Sequence, residues 1–231
     1  MKENPDSDVS TKLLKVLPSK STWVRAGVSA IPYVGGSLDH LLFNKADEVR
    51  QANITETLDA LSLRLESIEE ENIDLEWFET EEAIQVFRLL SEKAQFEANQ
   101  SKRKILGEVV ANLGSKKLSS DPHKLSVLHQ LSQLSYTQIR LLQIVENLPP
   151  GQRQFGHQIK QTVTAIWVDD IFAYLKSGKT DQFWEGSMDL DLELELMESL
   201  NILRRVVTVI KGETGYDLSS TGLAVLRYLQ K

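Results

Sequence analysis

Apolar side chains recur at helical spacing through much of the chain, and this periodicity limits the fold more than any other feature. The clearest stripe lies between residues 45 and 70 and consists of Ile54, Leu58, Leu61, Leu65 and Ile68. Its spacings alternate between four and three residues, so its members share one face of an α-helix. Similar stripes start near Thr80, with Ile84 expected on the buried face, and near Ser101, with a stop at Gly114. The sequence therefore predicts a mainly α-helical protein.

The composition indicates a globular chain and excludes several classes of protein. Of the 231 residues, 41% are hydrophobic, which is enough to build a core and too many for a disordered chain. The absence of cysteine excludes disulfides, thiolate chemistry and Cys-ligated zinc. The polar start has no signal-peptide core, and no run approaches about 18 apolar residues. We therefore expect a cytoplasmic protein without a membrane span.

No pattern of side chains in the sequence points to catalysis. The four histidines, none of them at metal-binding spacing, are His40, His123, His129 and His157. Asp169 and Asp170 are adjacent, and adjacent helical residues point about 100° apart, which disfavours an acid–base pair. The sequence contains no phosphate-binding loop, nucleophile elbow or kinase motif. We expect a protein that is not an enzyme, with no catalytic residues, no metal ligands and no cofactor.

A short polar run over residues 115–120 predicts a domain boundary, because it follows a helix stop and contains mostly Ser and Lys. The chain is then divided into a helical domain, residues 1–118, and a second domain, residues 119–231. Asp121 and Pro122 are suited to the start of the first helix of that second domain.

Three further helices are predicted in the second domain. Ser135 and Gln138 have the spacing of a capping box at the start of one helix. An apolar set predicts another over residues 156–176. From Asp189 onward acids and leucines alternate, which is typical of a strand, but Leu and Glu favour helix, so we predict a helix that continues to Leu203.

The end of the chain has the pattern of a β-hairpin followed by a helix. Residues 206–210 are β-branched, residues 211–215 are turn formers, and residues 216–218 can form the returning strand. Ser219 or Ser220 is then placed to cap a last helix.

These C-terminal residues resemble a known family. The stretch from Leu200-Asn201-Ile202-Leu203 to Tyr216-Asp217-Leu218-Ser219-Ser220-Thr221-Gly222-Leu223 is similar to the closing part of a winged-helix domain. In that family a third helix ends in an apolar pair, and a two-stranded wing returns to a Tyr-x-Leu-Ser/Thr-x-x-Gly entry into a final helix. The resemblance implies a winged-helix-like domain over residues 119–231. It first suggests DNA binding, with the third helix in the major groove and the wing on the backbone.

Charge argues against that suggestion. Residues 189–199 contain five acids and no Lys or Arg, and the basic side chains Arg204, Arg205 and Lys211 are placed at the wing. Carboxylates repel phosphates, and the chain as a whole carries a net charge of −7. We therefore favour protein interaction over nucleic-acid binding for this domain. An acidic face that is merely solvated is a simpler alternative.

Lys102, Arg103 and Lys104 form the strongest basic run. They fall in the first turn of a predicted helix, where the helix dipole disfavours cations. Contact with an anionic partner is one interpretation, and ordinary solvation is the other.

An apolar segment over residues 23–43 is broken in its middle by a proline and two glycines. The residues that define this candidate membrane or partner hairpin are Trp23, Ile31, Pro32, Tyr33, Val34, Gly35 and Gly36. Pro disfavours helix at the residue before it, so two short helices with a bend are predicted. The segment resembles Ile-Pro-x-Val-Gly segments of uncharacterised bacterial helical proteins, some of them associated with phage-defence or toxin-like systems. It could insert into a membrane, clamp a partner, or complete the N-terminal core.

The sequence thus favours a non-catalytic regulatory or adaptor protein that binds other proteins, with a homodimer through the helix over residues 45–70 as one form of partner. A DNA-binding winged-helix transcription regulator is the first alternative. A membrane-active effector of a bacterial defence or toxin-like system is the second.

Overall fold

The computed structural model describes residues 42–155, 161–177, 189–207 and 214–230. Over these ranges the protein is mainly helical and contains one four-stranded antiparallel sheet near the C-terminus. No helix in the described ranges is both long enough and apolar enough to cross a membrane. The predicted hairpin with Trp23, Ile31, Pro32, Tyr33, Val34, Gly35 and Gly36 lies outside the described residues.

The described residues form two compact units, one ending at Ser132 and the other spanning Gln133–Gln230. The first unit contains α1 (Leu42–Ser67), α2 (Glu81–Phe96), α3 (Gln100–Leu113) and most of α4 (Lys124–Gln133), with short 3-10 turns at Glu70–Asn72 and Trp77–Glu79. The second contains α5 (Tyr136–Asn147), β1 (Gly151–Phe155), β2 (Gln161–Trp167), α6 (Val168–Lys176), α7 (Leu190–Ser199), β3 (Leu203–Val207), β4 (Thr214–Leu218) and α8 (Ser220–Leu229).

The predicted stripe on α1 is buried within the first unit. Leu58, Leu61 and Leu65 are all at most 5% exposed, and α1 packs chiefly against α3 and α2. Gly107 allows the close approach of α3, since a Cβ there would stand 2.2 Å from the Thr57 carbonyl oxygen. These three leucines are covered by the chain's own helices, whereas Ile54 and Ile68 of the predicted stripe are half-buried. A homodimer through this helix remains a prediction.

Details of α2 and α3 differ from the sequence expectations. Ile84 is 40% exposed, because Ala83, Val86 and Phe87 form the buried face of α2 instead. The Asn99 side chain, two residues before the predicted Ser101, caps α3 and accepts from the Lys102 amide. Asn99 and not Ser101 is the N-cap because the helix starts earlier than predicted, at Gln100.

Gly114 ends α3 as predicted, but its backbone has a φ of −79° and is not left-handed. A Cβ at this position would lie 2.2 Å from the ring of Phe78. A side chain at position 114 would collide with the Phe78 ring, so glycine fits here because of its size.

The segment after Gly114 belongs to the first unit by its contacts. Lys124 is buried and its Nζ forms an ion pair with Glu82 at 2.8 Å and donates to the carbonyls of Ser119 and Asp121. These bonds hold the start of α4 against α2, so the compact units divide later in the chain than residue 118. The predicted division into domains 1–118 and 119–231 remains a prediction about folding units.

The second unit confirms two local predictions. The Ser135 side chain accepts from the Gln138 amide, and the Gln138 side chain accepts from the Ser135 amide, which completes the capping box of α5. The alternating run after Asp189 is helical, as predicted, with Asp189 as its N-cap. It ends at Ser199 and does not reach Leu203, because Asn201 adopts a left-handed φ of 56° that turns the chain into β3.

The helix predicted over residues 156–176 is wrong over residues 161–167, while residues 156–160 lie outside the described part of the chain. Residues 161–167 form strand β2, which pairs with β1, and only Val168–Lys176 is helical. Thr162, Val163 and Thr164 favour extended backbone because they are β-branched. Trp167 at the end of the strand is buried and its indole N–H donates to the Gly151 carbonyl of β1 at 3.0 Å.

The sheet has the order β1-β2-β4-β3, and all neighbouring strands are antiparallel. The predicted C-terminal pair forms with other bounds, since β3 begins at Leu203 and not at Val206, and β4 begins at Thr214 and not at Tyr216. Leu203 lies opposite Leu218, and Val207 lies opposite Thr214. The Ser219 hydroxyl accepts from the Gly222 amide and caps α8. The sheet thus places β3 directly after α7, with β4 between β3 and β2.

Candidate functional site

The corner formed by α7, β3 and β4 contains the predicted wing residues that the structure describes. Arg204 and Arg205 lie next to each other on β3, opposite Asp217 and Tyr216 of β4. Lys211, the third predicted contact, lies outside the described residues. Adjacent residues of a strand point to opposite faces, so the two arginines have different surroundings.

Arg205 is joined to the acidic helix. Its Nε donates to Glu198 Oε2 at 2.8 Å, and its Nη2 lies 3.2 Å from Glu195 Oε1. The guanidinium carbon lies 5.8 Å from the centre of the Tyr216 ring, within the range of a cation–π contact. Burial lowers the pKa of Arg205, but the hydrogen bonds to Glu195 and Glu198 and the nearby charges outweigh it and raise the pKa.

Tyr216 forms the floor under this ion cluster. Its side chain is buried, and burial is the main reason that the pKa of its hydroxyl is raised. The Arg205 charge acts in the opposite direction, while Glu198, Glu195 and Asp191 add to the rise. The phenol therefore remains neutral and serves as a packing surface for Arg205.

Arg204 points away from this cluster. Its Nη2 lies 2.9 Å from Asp217 Oδ2 on the neighbouring strand, and 72% of its side chain is exposed. An exposed ion pair of this kind contributes about 0–1 kcal/mol to stability. Arg204 could exchange its partner more readily than Arg205.

The remaining acids of α7 are largely used by the fold. Asp189 caps the helix by accepting from the Leu192 amide at 3.2 Å, and Glu193 accepts from the Gln138 side chain of α5 at 2.9 Å. Together with Glu195 and Glu198, four of the five acids in residues 189–199 have hydrogen-bond partners. The acidic run is thus more than a solvated face.

Leu192 and Leu196 are surface residues that the sequence reasoning did not single out. They are 52% and 44% exposed and stand one turn apart on α7, whereas Leu190 and Leu194 are buried. The alternation of acids and leucines alone gives no reason to expect some of the leucines to be buried and others exposed. A helical projection would have separated them, because positions 190 and 194 share one face and positions 192 and 196 another.

Two members of the basic run on α3, Lys102 and Arg103, are buried within the first unit. Lys102 Nζ pairs with Glu97 Oε2 at 2.7 Å and donates to the Ser132 carbonyl at 2.9 Å. Arg103 binds Glu56 and donates to the carbonyls of Glu97 and Ala98. Both cations are buried, so neither is solvated or presented to an anionic partner in this structure.

Lys104 is the exposed member of the run. Its charge lies near enough to Glu56 to help lower the pKa of that carboxyl. The three consecutive cations therefore do not form one surface patch.

A cleft of about 350 Å³ lies between α5, α6 and α8 in the second unit. Its polar rim includes Asn147, which donates to the Gln143 carbonyl, and Gln230, which donates to Glu146. Ile144 and Leu226 are part of its wall. The Asn147 and Gln230 side-chain amides are thus engaged by neighbouring groups of α5.

Comparison of the chain with protein-family models, with curated proteins and with solved structures finds no match.

Proposed function

We propose that the protein is a non-catalytic regulatory or adaptor protein that acts by binding another protein, and that its second unit is a winged-helix-like interaction module. The observation that carries the proposal is the engagement of Arg205 by Glu195 and Glu198. A helix that enters a DNA groove needs cations facing the phosphates. In this proposal α7 is that helix, and its Glu195 and Glu198 neutralise Arg205 on the adjoining strand β3.

The order of elements in the second unit supports the winged-helix-like interpretation. α7 is followed by an apolar pair, Ile202 and Leu203, and then by the β3–β4 pair and a final helix capped by Ser219. Gly222 lies so close to the Ile202 carbonyl oxygen that a Cβ would stand 2.2 Å from it. Close packing against Ile202 therefore explains why this chain has glycine at that position of the family pattern.

A pull-down with the tagged full-length chain tests this proposal. Lysate of the native host is divided and one half is treated with nuclease before capture. A protein partner that is recovered equally from both halves, and then binds the purified chain directly, supports the interaction proposal. Recovery of nucleic acid, or of proteins only from the untreated half, contradicts it.

A DNA-binding transcription regulator is the first alternative, and the exposure of Arg204 is the observation in its favour. It requires Arg204 to leave Asp217, and Arg205 to leave two carboxylates, before either meets a phosphate. The membrane-active effector remains a prediction, since residues 23–41 lie outside the described part of the chain.

A further inference from the structure

Leu192 and Leu196 form an exposed apolar pair on α7. Residues four apart on a helix are neighbours on its surface, so the two side chains form one continuous strip. They are 52% and 44% exposed, while Met197 on the opposite side of the helix is buried. Two exposed leucines one turn apart offer an apolar strip against which the apolar face of a partner helix can pack.

The charges around this strip are predominantly negative. In residues 189–199 and the β3–β4 pair, the described carboxylates are Asp189, Asp191, Glu193, Glu195, Glu198 and Asp217, and the described guanidiniums are Arg204 and Arg205. Six negative charges against two positive ones leave −4. Asp191 and Glu195 are exposed and lie in the same turns of α7 as Leu192 and Leu196. Glu195 pairs with Arg205, yet 56% of its side chain remains exposed.

This charge restricts what can cover the strip. A second copy in a symmetric dimer would place two acidic faces together, and facing like charges are unfavourable. A nucleic-acid backbone would be repelled for the same reason. A basic amphipathic helix, with apolar side chains on one face and Lys or Arg beside them, satisfies both the leucines and the carboxylates.

We propose that the α7 strip, defined as Leu192 and Leu196 with the neighbouring Asp191 and Glu195, is the docking surface for a basic amphipathic helix of a protein partner. The inference rests on the proposed function, because it names the surface and the partner chemistry of that interaction. The leucines supply the apolar contact, and the carboxylates orient the partner and disfavour acidic competitors.

A labelled synthetic peptide provides the first test. It carries Leu at the spacing of one helical face and Lys elsewhere, and a matched peptide has Glu in place of Lys. Binding to the full-length chain is followed by fluorescence anisotropy. The variant Leu192→Ser/Leu196→Ser removes the strip, and Leu63→Ser, at a 67% exposed leucine of α1, is the control. Circular dichroism establishes that each variant retains its helical content.

We expect the Lys peptide to bind the unmodified chain and the Leu63→Ser variant equally, and the double variant at least about tenfold more weakly. The Glu peptide should not bind. Absence of Lys-peptide binding, equal binding by the double variant, or binding of the Glu peptide would overturn the inference.

The pull-down distinguishes failure of this inference from failure of the proposed function. If the unmodified chain and Leu192→Ser/Leu196→Ser capture the same nuclease-resistant partner, the interaction proposal stands and the α7 strip is not its surface. If neither captures a protein that binds directly, the proposed function itself fails.

Discussion

Arg103 on α3 and Glu56 on α1 are joined by two hydrogen bonds to the same carboxylate oxygen, from Nε at 2.9 Å and from Nη2 at 2.5 Å. The guanidinium also donates to the carbonyls of Glu97 and Ala98, which precede α3. One buried side chain therefore connects α1 to the loop between α2 and α3. Its role is structural, although it belongs to the most basic run in the sequence.

Replacement of Arg103 by Met should strongly destabilise the first unit. Loss of one partner of a buried ion pair costs about 3–5 kcal/mol, and we expect about 2–3 kcal/mol here because the Glu56 side chain is 22% exposed. The neighbouring variant Lys104→Met removes an exposed cation and should change the free energy of unfolding by less than about 0.5 kcal/mol. Urea denaturation followed by circular dichroism measures both. Equal effects of the two variants would contradict the structural role of Arg103.

Replacement of Gly107 by Ala should also destabilise the protein, although alanine is the better helix former. Its Cβ would meet the Thr57 carbonyl at 2.2 Å and the Leu61 amide nitrogen at 3.0 Å. Overpacking of this kind costs about 1–3 kcal/mol, which exceeds the gain of about 1 kcal/mol in helix propensity. The control is Ser101→Ala on the exposed side of α3. A higher melting temperature for Gly107→Ala would show that α1 and α3 are not in close contact there.

The stability of the first unit should fall in acid partly through Asp74. A hydrogen bond from Ser119 is the main reason that the pKa of Asp74 lies below its ordinary value, and amides of Trp77 and Glu76 add to it against the effect of burial. A carboxyl with a lowered folded pKa stabilises the protein above its unfolded pKa of about 3.9, and this contribution disappears as the pH falls through the folded value. Asp74→Asn should therefore be less stable at neutral pH and lose less stability below about pH 4.

Asp59 provides an opposite control for that titration. Its pKa is raised by burial and by the charge of Glu56, so its ionised form is disfavoured in the folded protein. Asp59→Asn should not reduce stability at neutral pH, and the acid-induced loss should become steeper than in the unmodified chain. Denaturant midpoints measured from pH 7 downward give both slopes. The same change of slope in the two variants would refute the assigned directions.

Duplex binding tests the neutralisation of Arg205. We expect no salt-sensitive binding of a labelled DNA duplex at about 50 mM salt, where phosphate contacts are strong. Glu195→Gln/Glu198→Gln frees Arg205 and removes two negative charges, so it should bind the duplex more tightly than the unmodified chain does. Binding by the unmodified chain that weakens with salt and in Arg204→Ala/Arg205→Ala would favour the transcription-regulator alternative.

Local sequence signals predicted most of the helices and the C-terminal strand pair. The Ser135 capping box and the Ser219 cap form as their spacing indicates. Such caps involve residues three positions apart, so they depend little on the rest of the fold. The apolar stripe of α1 was also recognisable, because burial of one helix face is visible as a period of 3.6 residues.

Partners distant in the sequence could not be predicted in this way. Arg103 and Lys102 were expected to be solvated or to meet an anionic partner, and they are instead buried on Glu56 and Glu97. The sequence predicts a helix where strand β2 forms. The pairing of β2 with β1 and β4 depends on residues elsewhere in the chain, so the residues of β2 alone do not reveal it. Propensity is a weak signal where tertiary contacts compete with it.

The sequence by itself determined the helical class, the Ser135 and Ser219 caps, the β3–β4 pair and the acidity of the helix after Asp189, because each depends on composition or on neighbours within a few residues. Only the tertiary structure decided that Arg205 lies against Glu195 and Glu198, and that Leu192 and Leu196 face outward while Leu190 and Leu194 face inward. The physical reason is that ion pairing and burial are properties of surfaces brought together by folding, and the order of residues along the chain does not fix which surfaces meet.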